Sequence, residues 1–403
     1  MVAIRLLTVV VLLAARAALA QPITLATARA RAERVGPPVQ RAAGQEEVAR
    51  AEVGVAGALA NPTVTVLTAK ETARLTAGVS LPLPLFGQRG KAVDAARADA
   101  AAAAVEIELA RLEARWSATQ AWVALWEAQE RTQLMALASD DAQRLFDIAR
   151  TRFEAGSSPR LDVVRATAER ARARAEAEAA RAAVDAAAAR LSPLVAGEGG
   201  ERLQAAGRPA PPEALPERTE LARKLPAHAL LRRDRAQVAA AGAHLALEQR
   251  LRTPVPSAEL TVAHDDPTNE HKTDVMGGLS FELPLLSLRG GAIARARAQR
   301  ALAETTLALD ERQLRADLED AYHGARAGAA RARSLREEVL PAIEEARRMT
   351  EESYREGRAD ILRLLEAQRA VIDARLAALD AVVSWCRALA DLERSSGVGL
   401  YAK

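Results

Sequence analysis

The fold of this 403-residue chain is decided by two stretches that lie 200 residues apart: GVSLPLPLFGQRGKAVDAARA at 78–98 and GLSFELPLLSLRGGAIARARA at 278–298. They are identical at 11 of 21 positions, and the shared residues include a Pro-Leu pair and an Arg-Gly pair that a bias towards alanine cannot produce. A second match keeps nearly the same shift, between RFEAGSSPRLDVVRA at 152–166 and SYREGRADILRLLEA at 353–367. The sequence therefore predicts two copies of one supersecondary unit.

Apolar and polar residues alternate in four segments, two in each copy. Val64 and Val66 alternate with threonines, and Ala258, Leu260 and Val262 alternate with polar residues in the same way. A period of two over these lengths predicts strands with one apolar and one polar face. We expect one hairpin at about 59–84 and another at about 256–284. Four strands are too few to close a barrel, so they need partners.

Long helical patterns follow each hairpin. The run from Lys91 to Glu154 contains no proline, and Gly156-Ser157-Ser158-Pro159 then ends the pattern. Near the C-terminus, Leu365, Ile372, Leu379 and Cys386 recur every seven residues, which is typical of coiled coils and helical bundles. The sequence therefore predicts a mainly α chain with four amphipathic strands.

Composition excludes several classes of protein. There are 56 basic and 53 acidic residues, for a formal net charge of +3, so no nucleic-acid partner is implied. A single cysteine excludes an intramolecular disulfide and a cysteine-based zinc site. Metal-protease and phosphate-loop motifs are absent, so we expect no catalytic residue and no cofactor.

The first twenty residues have the pattern of a signal peptide. Arg5 precedes the apolar run Leu6–Leu13, and Ala18-Leu19-Ala20 forms a small-residue cleavage site. The alternative of an anchor helix is weaker because the run is too short to span a membrane. We predict a signal peptide at 1–20, a first repeat at 21–192, a Pro/Gly-rich connector at 193–217 and a second repeat at 218–400.

The order of elements and their doubling resemble the TolC-like outer-membrane efflux family, closest to its heavy-metal (CzcC-like) branch. The resemblance is carried by Asn61-Pro62, by the strand exits Pro84-Leu85-Phe86-Gly87 and Pro284-Leu285, by Arg152-Phe153-Glu154-Ala155-Gly156, by Tyr354-Arg355-Glu356-Gly357, and by Leu364-Leu365-Glu366-Ala367-Gln368. It covers about residues 22–400.

This resemblance implies a fold class that is mainly α with a β-barrel part. It implies a homotrimer in the outer membrane, whose three sets of four strands close a twelve-stranded barrel. The helices would continue the barrel as a periplasmic coiled-coil tunnel. It also implies a passive conduit that works with a periplasmic adaptor and a proton-driven inner-membrane pump. Heavy-metal cations are its candidate cargo. Two alternatives stay open: a periplasmic coiled-coil adaptor or stalk without a channel, and the outer-membrane conduit of a type I secretion system.

The resemblance also implies a periplasmic gate where the paired helices turn. Matching by the glycine-anchored motifs places Asp162 and Tyr354 at positions that share a hydrogen bond in the family. Glu366 keeps one acid of the family's acidic ring, whereas Arg363 replaces the other, which suggests a mixed ring. The alternative is that Arg363 and Glu366 are an ordinary surface pair three residues apart on a helix.

One group of possible metal ligands stands in the second hairpin. It comprises His264, Asp265, Asp266, Glu270 and His271. Imidazole and carboxylate ligands together suit zinc and similar metals. The alternative is a solvated loop, because Asp-Pro and Asn are turn residues.

Overall fold

The computed structural model describes residues 21–70, 73–195, 203–212, 214–265, 272–281, 288–356 and 358–401. The predicted signal peptide at 1–20 and the predicted strand exit at Pro284-Leu285 lie outside these residues. The chain divides into two compact units. Unit 1 comprises Met1–Pro37, Glu113–Arg218 and Leu318–Lys403, and unit 2 comprises Pro38–Leu112 and Thr219–Asp317.

Of the described residues, 75% are helical. Its α-helices are α1 (Leu25–Val35), α2 (Pro37–Gly57), α3 (Gln88–Glu154), α4 (Arg160–Leu191), α5 (Arg218–Lys224), α6 (Ala229–Arg250), α7 (Gly290–Ser334), α8 (Leu340–Arg355) and α9 (Ile361–Ser396). The long helix that the proline-free run predicts is confirmed in α3, which has 67 residues. Among the described residues, no helix combines the length and the apolar character needed to cross a membrane.

Unit 2 contains a four-stranded antiparallel sheet. The chain has six strands in its described part, β1 (Gln21–Ile23), β2 (Thr63–Leu67), β3 (Leu75–Pro82), β4 (Leu203–Ala205), β5 (Pro256–His264) and β6 (Thr273–Phe281). The order in the sheet is β2-β3-β5-β6, with antiparallel neighbours throughout. Each predicted hairpin thus supplies two strands, and β3 pairs with β5 to join the two copies of the repeat.

The strand register sorts the side chains onto two faces. Val64 lies opposite Val79, which in turn lies opposite Leu260, so these side chains share one face. Ser80 lies opposite Glu259 on the other face. Apolar side chains on the first face are largely exposed, with Val64 at 67% and Leu279 at 65%. The alternation predicted from the sequence is confirmed, and it produces an exposed apolar sheet face rather than a buried one.

Unit 1 has a small core around Trp122. This side chain is fully buried, and its indole Nε1 donates a hydrogen bond to the carbonyl oxygen of Ile23 at 2.7 Å. Ile23 belongs to β1, which pairs in parallel with β4. The segment 193–217, predicted only as a connector, therefore also contributes a strand. Strands of three residues carry too little pattern to be predicted from sequence.

A buried ion pair ties α1 to α9 in unit 1. The Arg29 Nη2 atom lies 2.8 Å from both carboxylate oxygens of Glu393. The same carboxylate accepts the backbone N–H of Leu400 at 2.5 Å, and the Arg29 guanidinium lies 5.0 Å from the centre of the Tyr401 ring. The Tyr401 hydroxyl donates to the carbonyl oxygen of Cys386 at 2.5 Å. One carboxylate thus joins an N-terminal helix, the last helix and the segment that follows it.

Cys386 lies in this same region and is fully buried. Burial raises the pKa of its thiol to about 12. The thiol therefore stays protonated at neutral pH and packs as a small apolar group.

The helical run of the second repeat is interrupted between α7 and α8. Residues Leu335–Val339 form one π-helical turn, and Pro341 follows it. Because proline has no N–H and its ring crowds the carbonyl four residues earlier, a regular α-helix cannot continue through Glu337 and Pro341. The wider turn relieves this conflict. This turn was not predicted from the sequence, although Pro341 is a local signal for it.

A partly buried charge cluster lies between α6 and α7 in unit 2. The Arg233 Nη2 atom lies 2.7 Å from Oδ1 of Asp234 and 3.5 Å from Oδ2 of Asp310. Asp234 is 1% exposed, and its Oδ2 atom has no hydrogen-bond partner. Burial raises the pKa of the Asp234 carboxyl, the neighbouring Arg233 opposes this rise, and Asp310 adds to it.

We predict that Glu393→Ala lowers the stability of unit 1 by about 3–5 kcal/mol, because it leaves the Arg29 guanidinium buried without a partner. The loss of helical circular dichroism on heating would measure this effect. The matched control is Glu113→Ala, which removes the more exposed pair with Arg394 and should cost only about 0–1 kcal/mol. Equal effects of the two substitutions would contradict the role assigned to Glu393.

We further predict that Asp234→Asn raises the unfolding temperature at neutral pH. Because the folded-state pKa of Asp234 is raised, its protonated carboxyl stabilises the fold at a pH below the unfolded-state pKa. This stabilisation is lost as the pH rises through the folded-state pKa. The advantage of the variant should therefore vanish near pH ~4, where unfolded aspartate takes up its proton. Asp99→Asn, at an exposed carboxylate bonded to His244, should show no such gain.

Candidate functional site

The predicted gate residues lie where two pairs of helices turn in unit 1. The turn from α3 to α4 passes through Gly156, whose φ of 71° is a left-handed conformation that suits glycine. An apolar cluster unites the ends of all four helices of this region. Its buried members are Leu145, Ala149, Ala166, Tyr354, Ile361, Leu364 and Leu365. The cluster holds the two turns at fixed positions within the unit.

Tyr354 belongs to this cluster, lies at the end of α8 and is 5% exposed. The guanidinium of Arg152, at the end of α3, lies 4.8 Å from the centre of the Tyr354 ring. Its Nη1 atom also donates to the backbone carbonyl of Tyr354 at 3.4 Å. A cation at a helix C-terminus and over an aromatic ring is favourable on both counts. Arg152 therefore connects the end of the first repeat's long helix to the end of the second repeat's.

Asp162 lies in the first turn of α4 and is half-buried. A carboxylate in this position is favoured by the partial positive charge of the helix N-terminus. Within the chain, no hydrogen bond joins the Asp162 carboxylate to the Tyr354 hydroxyl; the ring of Tyr354 contacts Arg152 instead. The structure thus brings both residues to the same pair of turns without linking them, and their bond stays a prediction.

Arg363 and Glu366 are both exposed in the first turns of α9. The backbone N–H of Arg363 donates to Oδ1 of Asp360, which caps the helix at 3.1 Å. No ion pair joins the side chains of Arg363 and Glu366. The surface pair that was the alternative to a mixed ring therefore does not form within the chain, and both charges remain open to solvent.

A groove of about 900 Å³ adjoins Tyr354 between α3, α8 and α9. Its lining is rich in arginine, but these side chains have acidic neighbours. Arg347 and Arg355 both pair with Glu351, and Arg375 contacts Glu344 at 2.7 Å. The groove is thus a helix-packing feature in which most of the lining arginines are paired with acidic side chains.

The possible metal ligands of the second hairpin are only partly described. Nδ1 of His264 lies 2.8 Å from the hydroxyl of Thr273, and Asp265 lies 3.4 Å from the Arg74 guanidinium. Asp266, Glu270 and His271 lie outside the described residues. In the described ranges, no three histidine, cysteine or acidic side chains are grouped so as to hold a metal ion. A guanidinium beside Asp265 opposes the binding of a dication there.

Sequence reasoning missed the role of Arg152. The residue was part of a motif, but its contact with Tyr354 joins positions 202 residues apart. The only available signal was the internal repeat, which places 152–166 and 353–367 at equivalent turns. Equivalent positions in the two repeats are predicted to have similar local structure, whereas contact between the two repeats depends on how the helices pack.

The model of the outer membrane efflux protein family matches residues 27–197 and 211–398. Among characterised proteins, the chain is similar to the cobalt-zinc-cadmium resistance protein CzcC of Cupriavidus metallidurans. The two are 26% identical over 386 residues, which is 94% of this chain and 91% of that protein.

Solved structures show the same fold. A membrane protein from Pseudomonas aeruginosa superimposes with a TM-score of 0.78 at 19% identity, covering 93% of both chains. The outer membrane protein VceC of Vibrio cholerae gives 0.75 at 19% identity, with 93% of this chain and 96% of that chain covered. CusC gives 0.76 at 15% identity, with 93% and 92% covered. The family match spans most of the chain and agrees with the repeated hairpins and long helices, so this chain belongs to the outer membrane efflux protein family and is an efflux channel component of the outer membrane.

Proposed function

We propose that three copies of the chain close a twelve-stranded barrel and a helical tunnel, and that this trimer is the passive outer-membrane conduit of a tripartite efflux system. The observation that carries the proposal is the sheet β2-β3-β5-β6, which has an exposed apolar face and a polar face. An apolar face that is open to solvent is unfavourable in water and favourable against lipid.

The two edges of the sheet support the trimer. In the described part of the chain, β2 and β6 each pair on one side only. Backbone N–H and C=O groups without partners cost several kcal/mol each inside a bilayer, so membrane-spanning sheets close on themselves. Four strands leave two edges in every copy, and pairing β6 of one copy with β2 of the next satisfies both.

The direction of the strands permits this closure. Because neighbours alternate in direction across four strands, β2 and β6 run in opposite directions. A junction of β6 with β2 of the next copy is then antiparallel like every other pair. Three copies give twelve strands, an even number as is usual for outer-membrane barrels. At nine residues each, β5 and β6 have about the length of a tilted membrane-spanning strand.

We assign the periplasmic gate to Asp162, Tyr354, Arg363 and Glu366, at the turns that the apolar cluster holds together. A resting tunnel needs a constriction, and the ends of paired helices are where neighbouring copies can meet. The exposed charges of Arg363 and Glu366 would face the aperture in the trimer. In this assignment the hydroxyl of Tyr354 bonds Asp162 in the closed state, while the ring of Tyr354 keeps its contact with Arg152.

The proposed cargo is heavy-metal cations. Its support is the similarity, over almost the whole chain, to a protein named for cobalt, zinc and cadmium resistance. A passive conduit needs no substrate pocket, because the inner-membrane pump selects the cargo. The family implies the two other components, a periplasmic adaptor and an inner-membrane pump, and we propose that the pump is proton-driven.

A lipid-facing position should not tolerate charge. We predict that Leu279→Arg costs about 2–4 kcal/mol if the residue lies near the middle of the bilayer, and so lowers the yield of detergent-extracted trimer. The control is Ser280→Arg on the opposite face of β6, which can pair with Glu259 and should leave the trimer intact. Equal tolerance of both substitutions, or a parent protein that is monodisperse as a monomer or dimer with full β content, would contradict the barrel.

The gate is tested by single-channel recording in planar bilayers. We predict that Asp162→Ala and Tyr354→Phe each raise the conductance, because hydrogen bonds to charged groups contribute about 1.5–3 kcal/mol each and three copies act together. Glu366→Gln should weaken block by cations from the periplasmic side.

Phenylalanine at position 354 keeps the ring that packs against Arg152, so this variant isolates the hydroxyl. Tyr322→Phe in α7 is the matched control and should leave the conductance unchanged. Unchanged conductance in both the Asp162 and the Tyr354 variants, with intact trimers, would show that the gate lies elsewhere.

A further inference from the structure

In the described strands, the charged side chains on the polar face of the sheet are acidic. This face is formed by β2 residues Thr63 and Thr65, β3 residues Thr76, Gly78 and Ser80, β5 residues Ser257, Glu259, Thr261 and Ala263, and β6 residues Asp274, Met276, Gly278 and Ser280, with Leu67 and Pro82 at strand ends. Within these described strands the charged members are Glu259 and Asp274, and both are acidic. The whole chain, by contrast, has a net charge of +3.

Glu259 is the better placed of the two. It is exposed, and its register neighbours are Ser80 on β3 and Gly278 on β6. Both neighbours are small, so neither covers the carboxylate. The hydroxyl of Ser280 donates a hydrogen bond to Oε1 of Glu259 at 2.5 Å, which holds the side chain on this face without supplying a compensating charge.

Basic residues lie beyond the strand ends. Arg74 directly precedes β3 and contacts Asp265, and Lys272 directly precedes β6. Both continue the alternation of the polar face beyond the strand ends, but each lies six residues along its strand from a register neighbour of Glu259, which is about 20 Å. These two basic side chains therefore lie at the end of the sheet where the strands turn, away from Glu259.

We propose that Glu259 makes the barrel lumen selective for cations. This inference rests on the trimeric barrel of the proposed function. Threefold symmetry places three Glu259 carboxylates at one height, with Asp274 as a second acid on the same face of each copy. The selectivity then resides in the barrel and not at the gate, where the exposed side chains of Arg363 and Glu366 carry opposite charges.

The dimensions of the barrel allow this field to reach the axis. Twelve strands spaced about 4.8 Å apart and tilted by about 40° enclose a barrel about 24 Å across. Side chains that point inward leave their carboxylates within about 10 Å of the axis, which is the Debye length at about 0.1 M salt. At about 1 M salt the Debye length falls to about 3 Å, so the centre of the lumen is screened.

The test is the reversal potential of purified trimers in planar bilayers under a potassium chloride gradient. At about 0.1 M salt we expect cations to permeate better than anions, and at about 1 M salt we expect this preference to be largely lost. Glu259→Gln should lower the ratio of cation to anion permeability about two- to threefold at low salt. Glu259→Arg should favour anions.

Two further variants distinguish the charge of Glu259 from its hydrogen bond, and the effect of the barrel from the effect of the gate. Ser280→Ala removes the hydrogen bond to Glu259 and keeps its charge, so the selectivity should be retained. Glu366→Gln changes the gate and should alter the ratio less than Glu259→Gln does. Wild-type channels without cation preference, or a ratio unchanged in Glu259→Gln, would overturn this inference while leaving the conduit intact. Trimers that conduct no ions would overturn the proposed function, and this inference with it.

Discussion

A backbone N–H or C=O group that faces lipid can find a hydrogen-bond partner only in protein, and this constraint governs the membrane part of the structure. The sheet β2-β3-β5-β6 satisfies it internally and leaves one open edge on each side. Its register meets a second demand of the bilayer, since Val64, Val79 and Leu260 fall on one face and Ser80 and Glu259 on the other. A shift of one residue in the register would exchange the two faces.

The helical part is stabilised by the packing of small side chains together with ion pairs between helices. Its interfaces are lined by alanine, which allows close packing but buries little apolar surface per residue. Ion pairs between helices supplement this packing, as in the contact of Arg387 with Glu127 at 2.8 Å. Most are partly exposed and contribute little singly. The pair Arg29–Glu393 is different because it is buried and its carboxylate also binds the backbone of Leu400.

Two regions of the chain differ in the signs of their charged side chains. At the helix turns, Arg363 and Glu366 put both signs of charge in the first turns of α9, the helix that also supplies three members of the apolar cluster. On the polar face of the sheet, the charged side chains of the described strands have one sign. A region of mixed charge suits contacts between copies, which need complementary partners. A region of one charge attracts counter-ions and suits passage.

The sequence by itself determined the repeat, the four strands, the face to which Val64 or Ser80 belongs, and the long α3, because these features depend on periodicity and on local residue types. It also located the turns at Gly156 and near Asp360, where glycine and a capping aspartate act locally. Only the tertiary structure decided that Arg152 contacts Tyr354, that Glu393 is buried against Arg29, and that β1 pairs with β4. Each of these contacts joins residues far apart in the chain, and their meeting depends on how the helices pack, which no local pattern records.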